Sequence, residues 1–510
     1  MSDQGSAGGG AVGVLDSDVP SFVSYDPAGG GEVATFPVMT AARVRGVVDE
    51  ARQAAGWWGA LSWAERERRL LRWAGVITRG REELCALVHR ENGKPRDDAF
   101  LEVFLAVEHI GWAAGHARRV LRSRRVGTGM LMANHAASLE YQPLGVVGVI
   151  GPWNYPIFTP VGSIAYALAA GNAVVFKPSE YTTAIGEWLV DAFGRANPDA
   201  PHQVLRLVTG TGETGAALCQ SGVDKIAFTG SARTGRKVMA ACAPSLTPVL
   251  MECGGKDAMI VAADANLEQA ADAALWGAMS NAGQTCVGIE RVYVVDSVKD
   301  KFIAELSARI QKLALKPGDG PDAAYGPMTM PAQVDIVRRH IDDAIAKGAT
   351  AIVGGAEAVK APYVEPTVLV DVPEDASAVC EETFGPTITV KGVKDLEEAV
   401  VLANATDYGL GSSVYARNGA MAVARRLRSG MTSVNAVIAF AGIPGLPFGG
   451  VGESGFGRIH GADGLREFTR PKAITRRRWS TPFEPTTFAR NPKTIVILEK
   501  YAMVRYGRKK

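Results

Sequence analysis

Cysteine is scarce in this chain, and its spacing excludes two kinds of structural site. The six cysteines are Cys85, Cys219, Cys242, Cys253, Cys286 and Cys380. None forms a CxxC pair, the spacing typical of zinc ligands, so no metal site is predicted. They are also too sparse for the disulfide framework of a small secreted protein. A reducing, cytoplasmic compartment is therefore expected.

Excess charge and long apolar runs are also lacking. The 55 lysines and arginines nearly balance the 53 aspartates and glutamates, and the net charge of +2 would not attract nucleic acid to the whole molecule. No apolar run approaches the roughly 20 residues that a membrane-spanning helix needs. The opening MSDQGSAGGGAVG has no basic flank followed by an apolar core, which argues against a signal peptide. Its glycine content predicts a flexible lead over residues 1–20.

The chain does have the length and the strand pattern of an α/β protein. Its 510 residues, 47% of them hydrophobic, are enough for two or three domains. Residues 41–93 have helical spacing, with Ser62 and Glu65 placed as in a capping box. From residue 145, β-rich runs such as GVVGVI, AVVFK and KIAFT alternate with helix-length segments, and a second such set follows Cys286. This alternation predicts two α/β domains with parallel sheets, joined near residues 252–256.

A thiol and a carboxylate are the candidate reacting groups. Cys286 follows a Gly-Gln-Thr turn in NAGQTCVGIER, and Glu252 lies upstream in MECGGK. No histidine lies in either segment, so a cysteine hydrolase has no obvious base there. A thiol with a carboxylate can instead add to an aldehyde, lose a hydride to a nicotinamide, and leave a thioester for a carboxylate-activated water to cleave. That chemistry needs a dinucleotide site, and residues 145–236 have the pattern of one.

Seven short strings occur in the order found in the aldehyde dehydrogenase superfamily, which the chain resembles over most of its length. They are PWNYP, NAVVFKPSE, FTGSARTG, MECGGK, GQTC, EETFGP and PFGGVGESGFGR. Any one string is weak evidence, but seven in order make coincidence a poor explanation. The resemblance implies an α/β fold with a Rossmann-like cofactor domain, an α/β catalytic domain and a small β oligomerisation arm.

The resemblance assigns the cofactor pyrophosphate to GSARTG, at Gly230, Ser231 and Gly235. Free backbone N–H groups and the helix dipole at the start of the following helix would favour a phosphate. The alternative is a plain tight turn in which the glycines serve backbone geometry. Literal GxGxxG patterns at 210–215 and 450–455 are discounted, although the first follows the strand-like VLRLVT.

Five further residues are assigned to the cofactor by the same resemblance. Lys177 and Glu180 would hold the adenosine ribose hydroxyls. Because the Glu180 carboxylate would repel a 2′-phosphate, NAD is expected over NADP, while Lys177 lessens the repulsion and leaves NADP use open. Glu382 and Phe384 would hold the nicotinamide ribose and ring, and Trp153 would line the same site. The alternatives are surface or loop charges and core aromatics.

The resemblance also implies roles for the reacting groups. The Cys286 thiolate would attack the aldehyde carbon, while the Asn154 amide and the Cys286 backbone N–H stabilise the oxyanion. Glu252 would activate the water that hydrolyses the thioester and help to deprotonate Cys286. A CoA-acylating enzyme is disfavoured because such members commonly lack that base. A structural protein on this fold is disfavoured because all three residues are present, although Asn154 could simply brace a turn.

The segments around the site favour an apolar substrate. Succinate semialdehyde enzymes of the family usually carry an arginine where this chain has Gly162. The candidate lining consists of Thr285, Val287, Ile289, Ile438, Phe440 and Ile443. An aliphatic, aromatic or terpenoid aldehyde is therefore expected, with succinate semialdehyde, or core packing of these side chains, as the alternatives. Ile459 and His460 stand where many members have Glu, which argues against a proton relay at that position.

The resemblance divides the chain into five parts. A lead over 1–20 precedes a cofactor domain over 21–123 and 144–255 and a catalytic domain over 256–455. An arm over 124–143 and 456–487 predicts a homodimer or homotetramer. The tail, 488–510, combines apolar residues with Arg508, Lys509 and Lys510. Packing on a neighbouring subunit is favoured for it, and peripheral contact with an anionic membrane is the alternative.

Overall fold

The computed structural model describes residues 20–312, 318, 320, 323–481, 484 and 486–507. Contacts divide the chain into two compact units, the first ending at Val120 and resuming over Pro143–Thr469, and the second formed by Leu121–Gln142 and the segment from Arg470. The predicted lead lies outside the described residues except for Pro20, and so do Arg508, Lys509 and Lys510.

A six-stranded sheet of the first unit contains the predicted GVVGVI, AVVFK and KIAFT strands. In spatial order its strands are Gly455–Phe456, Val249–Glu252, Lys225–Thr229, Val146–Ile150, Ala173–Lys177 and Leu205–Leu207. All pairs are parallel except that of Gly455–Phe456 with Val249–Glu252. The central strands are buried on both faces, which explains their unbroken apolar sequences. This sheet is Rossmann-like.

A seven-stranded sheet of the same unit follows the predicted second set. In spatial order its strands are Thr350–Val353, Thr367–Val370, Thr387–Val393, Ile289–Val295, Asp257–Val261, Ser412–Tyr415 and Ser433–Val434. Only Thr350–Val353 runs antiparallel to its neighbour within this sheet. The first unit also contains two antiparallel strand pairs outside its large sheets, Ser21–Tyr25 with Glu32–Pro37 and Val359–Lys360 with Tyr363–Val364. The sequence predicted two α/β domains; both sheets belong to one compact unit, and the division of that unit into domains stays a prediction.

Helices cover the sheets and connect their strands. Those in the described residues are Ala41–Ala60, Trp63–Arg79, Arg81–Asn92, Arg96–Leu121, Phe158–Ala169, Thr183–Ala196, Gly212–Cys219, Ala232–Cys242, Leu267–Met279, Asp296–Lys312, Pro331–Ala346, Ser377–Cys380, Leu396–Ala403, Ala420–Ala424, Gly461–Glu467 and Pro492–Tyr506.

The Ser62 cap illustrates how sequence fixes a helix start. Its hydroxyl accepts the Glu65 N–H at 3.2 Å, as predicted, whereas the Glu65 carboxylate pairs with Arg68 and Arg69. None of the described helices is long and apolar enough to cross a membrane.

The second unit is a three-stranded sheet with one helix. Its strands, in order, are Thr469–Arg477, His135–Pro143 and Arg124–Val126, and the helix is Pro492–Tyr506. The second segment of the arm was expected to start at residue 456, but residues 456–469 group with the first unit. The reason is local: Gly455–Phe456 extends the six-stranded sheet. The oligomeric role of the arm and the membrane role of the tail stay predictions.

Candidate active site

Three predicted site segments meet because they follow parallel strands of one sheet. Lys177 ends the strand Ala173–Lys177, Glu252 ends Val249–Glu252, and Gly230 follows Lys225–Thr229. The carboxyl ends of parallel strands lie at one edge, the usual ligand edge of an open α/β sheet. The Gly230 N–H donates to the Glu252 carbonyl at 3.0 Å, which joins the proposed phosphate turn to the proposed base.

The loop before Cys286 is held in an unusual backbone conformation. Asn281 and Ala282 both have positive φ, at 53° and 56°. The buried Gln284 side chain stabilises this loop by donating to the Asn281 carbonyl at 3.0 Å and accepting the Thr329 N–H at 2.9 Å. The strand Ile289–Val295 then begins three residues after Cys286. The turn and the strand together fix the position of the thiol.

Asn154 is hydrogen-bonded directly to this loop. Its side-chain amide donates to the Gln284 carbonyl at 2.9 Å, and its backbone carbonyl accepts the Asn281 amide at 3.1 Å. Tyr155 adds a hydroxyl contact with Thr285 at 2.9 Å. A primary amide has two N–H donors, so the Asn154 bond to the loop leaves one donor for an oxyanion. The plain alternative, bracing of a turn, agrees with this hydrogen bond, and the oxyanion role stays a prediction.

A buried ion pair is hydrogen-bonded to the segment that contains Asn154. Lys94 pairs with Glu102, and its ammonium also donates to the Asn154 carbonyl at 3.1 Å. Glu102 accepts the N–H groups of Ile157 and Phe158 at 2.7 and 3.0 Å, at the start of the helix Phe158–Ala169. Because a carboxylate is favoured at a helix N-terminus, one side chain anchors both the lysine and the helix.

Cys286 and Glu252 line one pocket with a largely apolar wall. Its empty volume is about 940 Å³, including solvent at the mouth. The apolar wall includes Leu101, Leu105, Phe158, Trp276, Val287, Ile438, Phe448 and Ile459. Among the described residues, Lys94 is the only basic side chain in the lining, and it is paired with Glu102. An apolar substrate end suits this wall better than a carboxylate does.

Burial raises the pKa values of both candidate reacting groups. It raises the pKa of the Cys286 thiol, and the Asp257, Glu382 and Glu252 carboxyl groups raise it further. Burial also raises the pKa of Glu252 well above its usual value, against the opposing effect of Arg458. Neither Glu252 carboxyl oxygen has a hydrogen-bond partner in the described part of the chain. No hydrogen bond within the described residues therefore fixes the orientation of this carboxyl group.

Lys177 and Glu180 lie close together at the end of their strand. The buried Lys177 ammonium donates to the Pro178 carbonyl at 3.0 Å and lies 3.9 Å from a Glu180 carboxylate oxygen. Burial lowers the pKa of Lys177, and Glu180 opposes that effect. Glu180 is more exposed, so its carboxylate can accept hydrogen bonds from a ligand at the sheet edge.

The GSARTG segment begins a capped helix that packs closely on the sheet, and its role in binding a phosphate stays a prediction. The Ser231 hydroxyl accepts the Thr234 N–H at 3.3 Å and so caps the helix Ala232–Cys242. A Cβ at Gly235 would lie 2.6 Å from the Met251 sulfur, so that glycine allows the helix to pack on its strand. By contrast, the discounted 450–455 pattern leads into an edge strand beside Glu252 rather than a helix following a strand.

The predicted nicotinamide residues also come together. The Trp153 and Phe384 rings are 5.4 Å apart in an edge arrangement. Glu382 accepts the Gly255 N–H at 3.0 Å, and burial, with Glu290, raises the pKa of Glu382 to about 8. The sequence did not indicate that the Lys256–Glu290 pair shapes this loop, in which Glu290 accepts the Phe384 N–H at 3.0 Å.

The lining prediction was partly wrong. Thr285, Val287 and Ile438 do line the pocket, whereas Ile289 and Phe440 are buried elsewhere and Ile443 is exposed. The sequence pattern could not distinguish side chains that line the pocket from side chains of the hydrophobic core, because both are apolar. Sequence reasoning also missed Lys94 and Glu102, which stand in none of the seven strings.

His460 fills the space beside Gly162. A Cβ at Gly162 would lie 2.4 Å from the His460 Nε2 atom. His460 is buried against the His109 ring, with centroids 3.8 Å apart, and contacts Tyr166 and Phe448. Burial lowers the pKa of His460 far below its usual value, with His109 adding to the effect, so the ring is neutral. A charged side chain at position 162 would meet this packed ring.

The chain is similar to known proteins over most of its length. The model of the aldehyde dehydrogenase family matches residues 15–474. A 4,4'-diapolycopene aldehyde oxidase of Methylomonas sp is 39% identical over 92% of this chain and 88% of its own. A putative succinate-semialdehyde dehydrogenase [NADP(+)] 2 of Mycobacterium ulcerans is 37% identical over 87% of this chain and 86% of its own. The crystal structure of an NAD-dependent aldehyde dehydrogenase from Sinorhizobium meliloti superposes with a TM-score of 0.85 at 34% identity, covering 92% of this chain and 93% of that one.

Gly162→Ala should destabilise the protein. The new methyl group would collide with the buried His460 ring, and overpacking of this kind typically costs about 1–3 kcal/mol, more than alanine gains in a helix. The measurement is the free energy of unfolding. Gly194→Ala is the control, because Gly194 lies exposed in the helix Thr183–Ala196 with nothing within 4 Å of its Cβ position. Equal stability of the two variants would contradict the packing argument.

Proposed function

The chain belongs to the aldehyde dehydrogenase family and is an oxidoreductase that acts on aldehydes, and we propose that it converts an apolar aldehyde to the carboxylic acid, with NAD preferred. The observation that carries this proposal is the pocket lined by Cys286 and Glu252 within an otherwise mainly apolar wall. The named activity of the Methylomonas relative, on a 4,4'-diapolycopene aldehyde, supports an apolar substrate.

The reaction begins with a proton transfer between the two buried groups. Since the pKa of Cys286 is raised, its thiol needs a base, and the unpartnered Glu252 carboxylate can take that proton once it has ionised. The sulfur then bonds to the aldehyde carbon. The second Asn154 N–H and the Cys286 backbone N–H stabilise the oxyanion, and loss of one such donor typically costs about 10²–10³ in rate.

Release of the acid requires a base a second time. Bound NAD supplies the acceptor for the hydride that leaves the tetrahedral carbon. Glu252 releases the Cys286 proton to solvent and then removes a proton from a water molecule. The hydroxide adds to the thioester carbonyl, the carbon–sulfur bond breaks, and the leaving sulfur takes up a proton to regenerate the thiol. The presence of Glu252 in the pocket favours transfer of the acyl group to water over transfer to coenzyme A.

The residues at the sheet edge fit a dinucleotide. Glu180 offers a carboxylate for the ribose hydroxyls, the capped start of the helix Ala232–Cys242 suits a phosphate, and Trp153 with Phe384 forms an aromatic wall. The Glu180 charge disfavours a 2′-phosphate, and Lys177 partly offsets it. We therefore propose NAD as the main cofactor, with limited use of NADP.

Succinate semialdehyde is the second candidate, because the Mycobacterium ulcerans relative bears that name. Its distal carboxylate would need a cation in the pocket, and Lys94 is already committed to Glu102. The site therefore favours the apolar substrate. We further propose, from the cysteine pattern and the arm-like second unit, that the protein acts in the cytoplasm as a homodimer or homotetramer.

An aldehyde panel tests the proposal. We expect NAD-dependent NADH formation with long-chain, aromatic and terpenoid aldehydes to exceed that with succinate semialdehyde. Cys286→Ala should abolish turnover while NAD binding, measured by calorimetry, persists. Cys380→Ala is the control, because its thiol is exposed and lies outside the pocket lining. Turnover retained by Cys286→Ala, or activity confined to succinate semialdehyde, would overturn the proposal.

The pH dependence tests Glu252 as the base. A carboxyl group with a raised pKa is protonated at low pH and must lose its proton to act, so kcat should rise as pH increases through that pKa. Glu252→Gln should lower kcat by about 10²–10⁴ and also slow the pre-steady-state burst of NADH, because both the Cys286 thiol and the water lose their base. The exposed Glu268→Gln is the control. An unchanged steady-state rate in Glu252→Gln would show that another base acts.

Cofactor choice tests Glu180. Glu180→Ala removes the charge that repels a 2′-phosphate, so the ratio of kcat/KM with NADP to that with NAD should rise by about five-fold, as expected for an exposed charge interaction of roughly 1 kcal/mol. The matched control, Glu268→Ala, should leave the ratio unchanged. A ratio unaffected by Glu180→Ala would remove this residue from the cofactor site.

A further inference from the structure

We propose that the substrate pocket continues outside as an apolar strip on the helix Arg96–Leu121, formed by Phe100, Leu101 and Phe104, which binds the part of a long aldehyde that extends beyond the mouth. This inference rests on the proposed function and specifies its substrate as a long, uncharged chain. The strip lies outside the groups that perform the chemistry, so it can be tested without disturbing them.

Two side chains at the mouth of the pocket line its wall and are also exposed to solvent. Leu101 and Trp276 contribute to the pocket wall, yet 44% and 46% of their surfaces remain accessible. A wall residue with that much exposure lies where the cavity opens to solvent. The pocket therefore opens between the helix Arg96–Leu121 and the helix Leu267–Met279.

The strip follows from helical spacing on the first of these helices. Leu101 and Leu105 line the pocket, one turn apart. Phe100 and Phe104 occupy the preceding position in each turn and are 49% and 50% exposed. Residues three or four apart are neighbours on a helix, so Leu101 and Phe104 form a continuous apolar surface from the wall to the exterior. Two half-exposed phenylalanines beside a cavity mouth form the kind of exposed apolar patch that marks a binding surface.

The charged side chains near the mouth of the pocket favour an uncharged ligand on the strip. Asp98 lines the pocket one turn before Glu102, and burial raises the pKa of its carboxyl group. Lys94, the basic side chain of the lining, is neutralised by Glu102. A distal carboxylate would meet an acidic group and no available cation there. An uncharged hydrocarbon chain, in contrast, would bury apolar surface along Phe100 and Phe104.

The experiment is a chain-length series of straight saturated aldehydes with the full-length protein and NAD. In the unmodified protein kcat/KM should rise with chain length beyond the length that fills the pocket. Phe104→Ser should lower kcat/KM for the longest aldehydes by about ten-fold, because burial of part of a phenyl ring is lost, and leave the shortest unchanged. Phe104→Leu, which keeps an apolar side chain, should retain most of the kcat/KM of the unmodified protein for the longest aldehydes. Leu71→Ser, at a similarly exposed leucine on the helix Trp63–Arg79, should have no effect.

The outcomes separate the strip from the proposed function. If Phe104→Ser lowered kcat/KM equally for all chain lengths, or for none, the proposed strip would be wrong. Activity on short aldehydes would still support the proposed dehydrogenase function. A change in oligomeric state or vesicle binding in Phe104→Ser, with an unchanged length series, would assign the strip to another partner and overturn the inference. If the unmodified protein oxidised no aldehyde, the proposed function would fail as well.

Discussion

The geometry of the site depends on the buried pair of Lys94 and Glu102. Glu102 fixes the start of the helix Phe158–Ala169 through two backbone N–H groups, and Lys94 fixes the Asn154 carbonyl. Asn154 in turn holds the loop that carries Cys286 through the Gln284 carbonyl. A buried ion pair stabilises little by itself, because desolvation offsets its Coulomb attraction. Its value here is positional, since each of its charges is also committed to a backbone group of the site.

A second constraint is the low polarity of the pocket, which governs the protonation of the reacting groups. The same apolar wall that suits a hydrocarbon substrate raises the pKa of Cys286 and of Glu252. The proposed substrate preference and the pKa values of these groups are therefore linked. A pocket polar enough to bind the carboxylate of a charged substrate would also stabilise the ionised forms of Cys286 and Glu252. The raised pKa values explain why the thiol requires a neighbouring proton acceptor rather than existing as a thiolate in the resting protein.

The structure distinguishes residues that look alike in the sequence. A negatively charged substrate was disfavoured because Gly162 stands where an arginine would bind it. The structure adds a more specific reason: the His460 ring occupies the space that a side chain at position 162 would need. The Asn435 side chain stabilises a neighbouring strand, because it accepts the Ala416 N–H and donates to the Ala416 carbonyl. Ile289 and Ile438 are equally apolar, but only Ile438 reaches the pocket. Which apolar side chain lines a cavity depends on how elements pack, and that information is not local.

The sequence alone determined the two α/β layers, the Ser62 helix start and the family, because strand periodicity, capping chemistry and short motifs are properties of neighbouring residues. It also identified Cys286, Glu252 and Asn154 as candidates, because each stands in a motif. Only the tertiary structure decided that Lys94 and Glu102 support Asn154, that His460 fills the space at Gly162, and that Leu101 and Trp276 form the mouth of the pocket. These contacts join residues far apart in the chain, and burial, which sets their charges and their packing, exists only once the sheets and helices have assembled.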